Sequence, residues 1–338
     1  MITISLCMIV RDEEETLARC LECAKAFADE IIIVDTGSVD STVEIAKNYT
    51  DKVFEFKWVD DFSKARNFSF SHATMDYQMW LDADDIISEQ DQQAISELKN
   101  TLEPDIDMVY MQYKVSELNY SRERLIKNIK ALQRWNGAIH ECIAPVGNII
   151  YADITITHAK VKQTAPDRNL NIFKKMLERG EHLVPREQYY YARELMWVGR
   201  NDEATALMET LIKRTDVWIE NRISACLDLY NMTKNASFLY KSFELATPRA
   251  EICYELGNYY LSTNEYKRAI WWYESALKCT PSNGGFNVTD CYGFNPYLQL
   301  CICYDKLGDK QTAIEYNKKA EAIKPDHPSV VFNNNYFL

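Results

Sequence analysis

The hydrophobic period of this chain changes once, and that change divides what it can fold into. In the first part, strands and helices alternate. Ile2, Ile4, Leu6, Met8 and Val10 occupy every second position, the pattern of a buried strand. Leu17, Cys20, Leu21, Ala24 and Ala28 follow at helical spacing. A β-branched run at 31–34 closes in the turn residues Asp35, Thr36, Gly37 and Ser38. Ser41 and Glu44 have capping-box spacing ahead of a helix through Ile45, Ala46 and Tyr49. Strands expected at 53–56, 77–81 and 108–113 are separated by helices at 63–73 and 88–100. Such alternation implies a mostly parallel, Rossmann-like sheet covered on both faces, with ligands beyond the carboxyl ends of the strands. From about Ala165 onward only helical spacing remains. The expected domains are therefore an α/β domain over 1–165 and an all-α domain over 166–338.

The all-α part repeats. With Ala250 as the first position of a 34-residue frame, Leu256, Gly257, Tyr260, Ala269, Tyr273, Ala276 and Pro281 fall where two crossing helices need apolar or small residues. A second copy from Phe294 keeps Leu300, Tyr304, Gly308, Ala313, Ala320 and Pro325 in register, with Asn317 replacing an aromatic. A weaker copy near Pro185 shows Tyr191, Gly199, Ala204 and Leu211, and 216–249 is one degenerate repeat long. The pattern resembles the tetratricopeptide repeat, whose units stack into a superhelix with a concave face.

Composition narrows the functions. Only 10 of 338 residues are Gly, which favours helix. A net charge of −12 disfavours nucleic acid and anionic lipid as partners. No apolar run is long enough for a membrane span, and the first residues read as a strand rather than a signal peptide. Ten scattered cysteines include one CxxC, Cys20 and Cys23, with no second half for a zinc site. Reduced thiols in a cytoplasmic protein are the expectation.

Three carboxylates, Asp82, Asp84 and Asp85, follow the strand at 77–81. Hard cations such as Mn2+ and Mg2+ take carboxylates together with substrate phosphates, although an acidic triplet also suits a solvated loop or a helix cap. The segment 35–42 lies at a second strand end. Arg66 and Asn67 sit near a helix start, where a diphosphate or base can be held, and a surface ion pair is the alternative for Arg66.

Five segments in order, ISLCMIVRDEE (4–14), IIIVDTGSVDST (31–42), DFSKARN (61–67), WLDADD (80–85) and WNGAIHE (135–141), resemble family 2 glycosyltransferases of the GT-A fold. The subgroup is that of bacteriocin S-glycosyltransferases and lipopolysaccharide-core transferases. The resemblance implies a nucleotide-sugar donor, a UDP-sugar foremost, a divalent metal (Mn2+ or Mg2+) and inversion at the anomeric carbon. It assigns Asp82 and Asp84 to the DxD motif, Asp84 to the metal and Asp82 to the ribose or a metal ligand, with Ala83 between them. His158 is the late histidine that GT-A enzymes often add to the metal, with a core histidine as the alternative. Asp35, Thr36, Arg11 and Arg66 take nucleotide-contacting positions, Thr36 where relatives carry a carboxylate and Arg11 where they carry an aromatic or Lys. Glu141 matches the catalytic base, with acceptor binding or loop bracing as its alternative; Trp135 takes a sugar-pocket position, with a core tryptophan as its alternative, and His140 stands beside Glu141 among the nucleotide-sugar-binding positions.

Three functions compete at this level. One is a transferase whose acceptor, a peptide, protein or glycan, is held partly by the repeats. Another is a tetratricopeptide scaffold carrying an inactive transferase domain. The third, a nucleotidyltransferase, wants a Gly-rich phosphate loop, and residues 5–16 contain no Gly. The repeats suit acceptor binding and homo-oligomerisation equally.

Overall fold

The computed structural model describes residues 1–116, 118–129, 134–161, 167–282 and 286–338. These fall into two compact units, one of Met1–Ser116 and Tyr120–Leu183, the other of 117–119 and Val184–Leu338. The expected boundary at 165/166 lies outside the described residues.

The first unit runs β1 (Ile4–Val10), α1 (Leu17–Ala24), β2 (Glu30–Asp35), α2 (Thr42–Lys47), β3 (Val53–Glu55), α3 (Phe62–Ser71), β4 (Tyr77–Trp80), β5 (Asp85–Ile87), α4 (Glu89–Thr101), β6 (Met108–Val115), β7 (Leu118–Lys127), β8 (Trp135–Asn136), β9 (Cys142–Ile143), β10 (Ile149–His158) and α5 (Arg168–Glu178). The main sheet has the order β3-β2-β1-β4-β7-β6-β10-β5. β1 pairs in parallel with β2 and β4, and β2 with β3. Beyond β4 the sheet is mixed: β7 is antiparallel to β4, and β5 to β10, while β10 is parallel to β6. β7 has no counterpart in the expected elements. It follows β6 too closely for a crossover helix, and a parallel neighbour needs one.

The alternation along β1 sorts its side chains onto two cores. Ile4, Leu6, Met8 and Val10 pack with Leu17, Cys20 and Leu21 of α1. Cys7 faces the other way, with Ile32, Val34, Phe70, Trp80 and Trp135. The capping box expected at Ser41 does not form. Asp40 accepts from the Thr42 amide at 2.9 Å instead, and Glu14 from the Ser41 amide at 3.1 Å. α5 belongs to the first unit, where Lys175 pairs with Asp60 at 2.9 Å and Arg168 lies 5.1 Å from the Phe62 ring centre.

The second unit pairs α6 (Pro185–Trp197) with α7 (Asn201–Leu211), α8 (Ile219–Thr233) with α9 (Ser237–Ser242), α10 (Ala250–Ser262) with α11 (Tyr266–Ala276), and α12 (Phe294–Lys306) with α13 (Lys310–Glu321), followed by α14 (Pro328–Phe337). Leu256, Ala269, Tyr273 and Ala276 are fully buried, as the repeat frame requires. Asn317 is tolerated at an aromatic position because α14 supplies polar partners: it donates to Asn334 at 2.7 Å and accepts from Asn333 at 2.9 Å.

Gly257 lets α10 and α11 cross closely, since a Cβ there would lie 2.3 Å from Tyr273 Cε1. Gly257→Ala gains about 1 kcal/mol of helix propensity but overpacks the crossing by about 1–3 kcal/mol. A lower urea midpoint for the repeat unit is expected; an unchanged one would show that the Tyr273 ring swings clear.

Glu30 ties three segments of the first unit together. It accepts from the Thr74 amide at 2.9 Å and the Thr74 hydroxyl at 2.8 Å, and it holds Ser5 and Lys52. Burial pushes its carboxyl up, but Lys52, Ser5 and Thr74 pull it further down, to about 2 from an ordinary 4.5. A lowered folded-state pKa stabilises fully above the ordinary value and is lost as pH falls through about 2. The stability gap between the native chain and Glu30→Gln, measured by denaturation, therefore narrows as pH falls from about 4.5 to about 2.

Candidate active site

The parallel strands bring their carboxyl ends to one edge, with Val10 of β1 beside Asp35 of β2. β4 ends at Trp80, paired with Cys7 of β1, and the chain turns through Asp82, Ala83 and Asp84 into β5. Asp85 shapes this turn from a fully buried position. Its Oδ2 accepts from the Asp82 amide at 3.0 Å and from Arg124 Nη1 at 3.1 Å, and its Oδ1 from the Tyr113 hydroxyl at 3.0 Å. Arg124 also donates to the Trp80 carbonyl at 3.1 Å, and its guanidinium carbon lies 3.6 Å from the Trp80 ring centre. Arg122 and Arg66 lie over the same indole, at 4.9 and 4.7 Å.

Arg66, on α3, links two candidate acids. Its Nε donates to Glu141 Oε1 at 2.6 Å and its Nη2 to Asp82 Oδ1 at 2.7 Å. Its guanidinium carbon stands 4.9 Å from the Trp135 ring centre. Burial disfavours the Arg66 charge, but the two carboxylates more than offset this and raise its pKa. Burial likewise raises the Asp82 carboxyl, while Arg66 and Arg124 bring it below its ordinary value. Glu141 arrives on a tight loop. Gly137 and His140 both have left-handed backbone, at φ 96° and 53°, and the Phe62 amide donates to the Ala138 carbonyl at 2.9 Å. Asn67 pins the loop's start, donating to the Trp135 carbonyl at 3.0 Å and accepting from its amide at 2.9 Å.

His158 ends β10, with Nδ1 at 3.2 Å from Asp84 Oδ1 and 3.4 Å from Asp85 Oδ1, ion-pair distances without hydrogen-bond geometry. These carboxylates push its imidazole up to about 10. One ligand atom each from Asp82, Asp85 and His158 lies within 4.8 Å of the others. Two carboxylates and an imidazole at a strand end suit Mn2+ or Mg2+. A cation there reverses the pull on His158, since only the neutral ring ligates.

The structure thus brings Asp82, Arg66, Trp135 and Glu141 into one cluster, next to His158 and Asp84. Asp85 completes the donor group where Asp84 was expected; Asp84 instead reaches His158, and its backbone carbonyl takes the Ala159 amide at 3.0 Å. Ala83 is buried in the turn, and His140 precedes Glu141 in the loop. Three expected donor contacts stand apart from the cluster. Asp35 accepts from the Gly37 amide at 3.0 Å and the Ser38 hydroxyl at 2.5 Å, closing its own turn. The Thr36 hydroxyl donates to the Val10 carbonyl at 3.0 Å, latching β2 to β1. Arg11 is exposed, 3.9 Å from Asp12. Sequence reasoning missed Arg124 and Tyr113. Nothing in the alternating, charge-rich run Leu118–Lys127 marks Arg124 as buried.

Residues 5–152 match Glycosyl transferase family 2, and residues 250–283 and 296–327 match the Tetratricopeptide repeat. The matched segments thus read as a family 2 glycosyltransferase domain over 5–152 and tetratricopeptide repeats over 250–283 and 296–327. A TPR repeat-containing protein of Synechococcus elongatus is 38% identical over 148 residues, 42% of this chain and 36% of that protein. The SPbeta prophage-derived glycosyltransferase SunS of Bacillus subtilis is 29% identical over 220 residues, 60% of this chain and 51% of that protein. The chain thus spans about half the length of these relatives or less. Glucosyl-3-phosphoglycerate synthase from Mycobacterium tuberculosis, solved with Mn2+ and UDP, is 22% identical over 33% of this chain and 44% of that one, at a TM-score of 0.29.

Removing Arg124 leaves the fully buried Asp85 with only His158, 3.4 Å from its Oδ1, as a counter-charge. Arg124→Leu is expected to cost about 3–5 kcal/mol in urea unfolding, and Arg124→Leu with Asp85→Asn much less. An unchanged midpoint would show that His158, Tyr113 and the Asp82 amide suffice to hold Asp85.

Proposed function

We propose that the chain is a metal-dependent, inverting glycosyltransferase that moves a sugar from a nucleoside diphosphate donor, a UDP-sugar foremost, to a peptide or protein acceptor. The observation that carries this reading is the group of Asp82, Asp85 and His158 at the end of β4, with Arg66 joining Asp82 to Glu141. The acceptor's oxygen or sulfur attacks the anomeric carbon from the face opposite the diphosphate. That bond forms as the bond from the anomeric carbon to the diphosphate breaks, and Glu141 takes the acceptor's proton. The transition state carries positive charge on the sugar ring, as in glycoside hydrolysis. A divalent cation held by Asp82, His158 and either Asp84 or Asp85 would neutralise charge on the departing diphosphate. Donor recognition falls to 82–84, with the turn after β2 shaped by Asp35 and Thr36.

The repeats are assigned to the acceptor, because stacked repeats of this kind present extended concave surfaces. No described helix is long and apolar enough to cross a membrane. All ten cysteines are free, most of them buried, which suits a reducing compartment, and the proposed location is the cytoplasm.

A donor panel tests the reading. The chain is incubated with Mn2+ and, in turn, UDP-glucose, UDP-N-acetylglucosamine, UDP-galactose or GDP-mannose, and released nucleoside diphosphate is measured. One donor is expected to turn over, to stop with EDTA and to resume with Mn2+ or Mg2+. Glu141→Gln is expected to lower turnover about 10²-fold. Undiminished turnover in EDTA overturns the metal dependence. No turnover with any donor favours the scaffold reading.

A further inference from the structure

We propose that Arg66 is a positioning residue that holds Glu141 against Asp82, and that it does not contact the nucleotide. This rests on the transferase reading above and departs from the nucleotide-contacting place that the family resemblance implies for it. Arginine offers five N–H donors in a rigid planar fork. Here the Nε and Nη2 edge is spent on two carboxylates from distant segments, Glu141 at 2.6 Å and Asp82 at 2.7 Å. The plane of the fork is set by the two indoles it packs against, Trp80 and Trp135. Those indoles pack edge to face, with ring centres 5.1 Å apart. Only 6% of Arg66 is exposed, which leaves little of it for a nucleotide to meet. Its Nη1 and the Trp135 Nε1 are buried with no partner among the described residues, so the free donors of this cluster lie inside it.

Glu141 depends on this contact. The loop that carries it bends through two left-handed residues, Gly137 and His140, and its backbone is tied to α3 at Phe62 and Asn67. α3 therefore fixes both the loop and, through Arg66, the carboxylate at its end. Among the described residues, Arg66 is the one hydrogen-bonded link between that carboxylate and the strand-end acids.

A double-mutant cycle tests the proposal. Arg66→Ala, Arg66→Lys, Glu141→Gln and the Arg66→Ala/Glu141→Gln pair are compared with the native chain in turnover of the donor chosen by the panel. Binding of UDP with Mn2+ is followed by tryptophan emission, which Trp80 and Trp135 make sensitive to this site. If Arg66 acts through Glu141, Arg66→Ala lowers turnover at least about 30-fold and changes UDP affinity less than about 3-fold. It then adds no further loss in the Glu141→Gln background. Arg66→Lys keeps the charge without the fork and retains UDP affinity with an intermediate turnover. A loss of UDP affinity of 10-fold or more in either Arg66 variant, or losses that multiply in the pair, overturns the proposal.

If the native chain turns over no donor, the transferase reading fails on its own. The coupling is then read from thermal midpoints. Equal shifts in Arg66→Ala and Glu141→Gln, with no larger shift in the pair, support the link, and additive shifts overturn it. Should Arg66→Ala not fold, Arg66→Lys in the same cycle decides.

Discussion

A buried ion pair, Arg124 with Asp85, underlies the site. Both side chains are fully buried, so each charge depends on the other and on the hydrogen bonds around them. Asp85 spends its oxygens on Arg124, on the Tyr113 hydroxyl and on the Asp82 amide. The last of these bends the chain after β4 and places Asp82 at the sheet edge. Arg124 in turn binds the carbonyl of Trp80 and covers its ring. One pair thereby ties the antiparallel strand β7 to the end of the parallel half of the sheet. It explains why three acids in four residues can stand together: one of them is a structural member.

Trp80 extends this foundation into a charged cluster. Three guanidiniums, from Arg66, Arg122 and Arg124, lie over its indole. Clustered cations of this kind repel unless carboxylates are interleaved. Asp82, Asp85, Glu123 and Glu141 supply them, each in an ion pair with one of the three. The result is a dense, mostly buried network in which an acid's environment depends on its partner more than on its own exposure. Such networks are coupled, and a change at one member is felt by the others.

The repeat unit is built by a different rule. Each pair of helices buries small residues at its crossing, Gly257 and Ala269 among them, and stacks on the next pair. Where the pattern fails, a local substitute is present. Asn317 is carried by two asparagines of α14, and the short α9 is followed by Phe243, which stacks on Trp272 of α11 with ring centres 5.6 Å apart.

Much of this was legible in the sequence because it is periodic. Alternation marked β1, strands were expected where β3, β4 and β6 lie, and the 34-residue frame located helix pairs of the second unit. Turn chemistry placed Asp35 and Asp82 at strand ends. Which charges meet was not legible. Arg66 and Glu141 are 75 residues apart, and Arg124 and Asp85 are 39 apart. Periodicity reports only which side of an element is apolar, so a charged residue such as Arg124 reads as surface until a distant partner buries it. The nucleotide-contacting places of Asp35 and Thr36 came from the family resemblance; in the structure their side chains close a turn and a strand end. The sequence by itself determined the elements, their order and the edge where chemistry sits. Only the tertiary structure decided which acids are free and which are spent, because that depends on long-range pairing in a buried, low-dielectric interior.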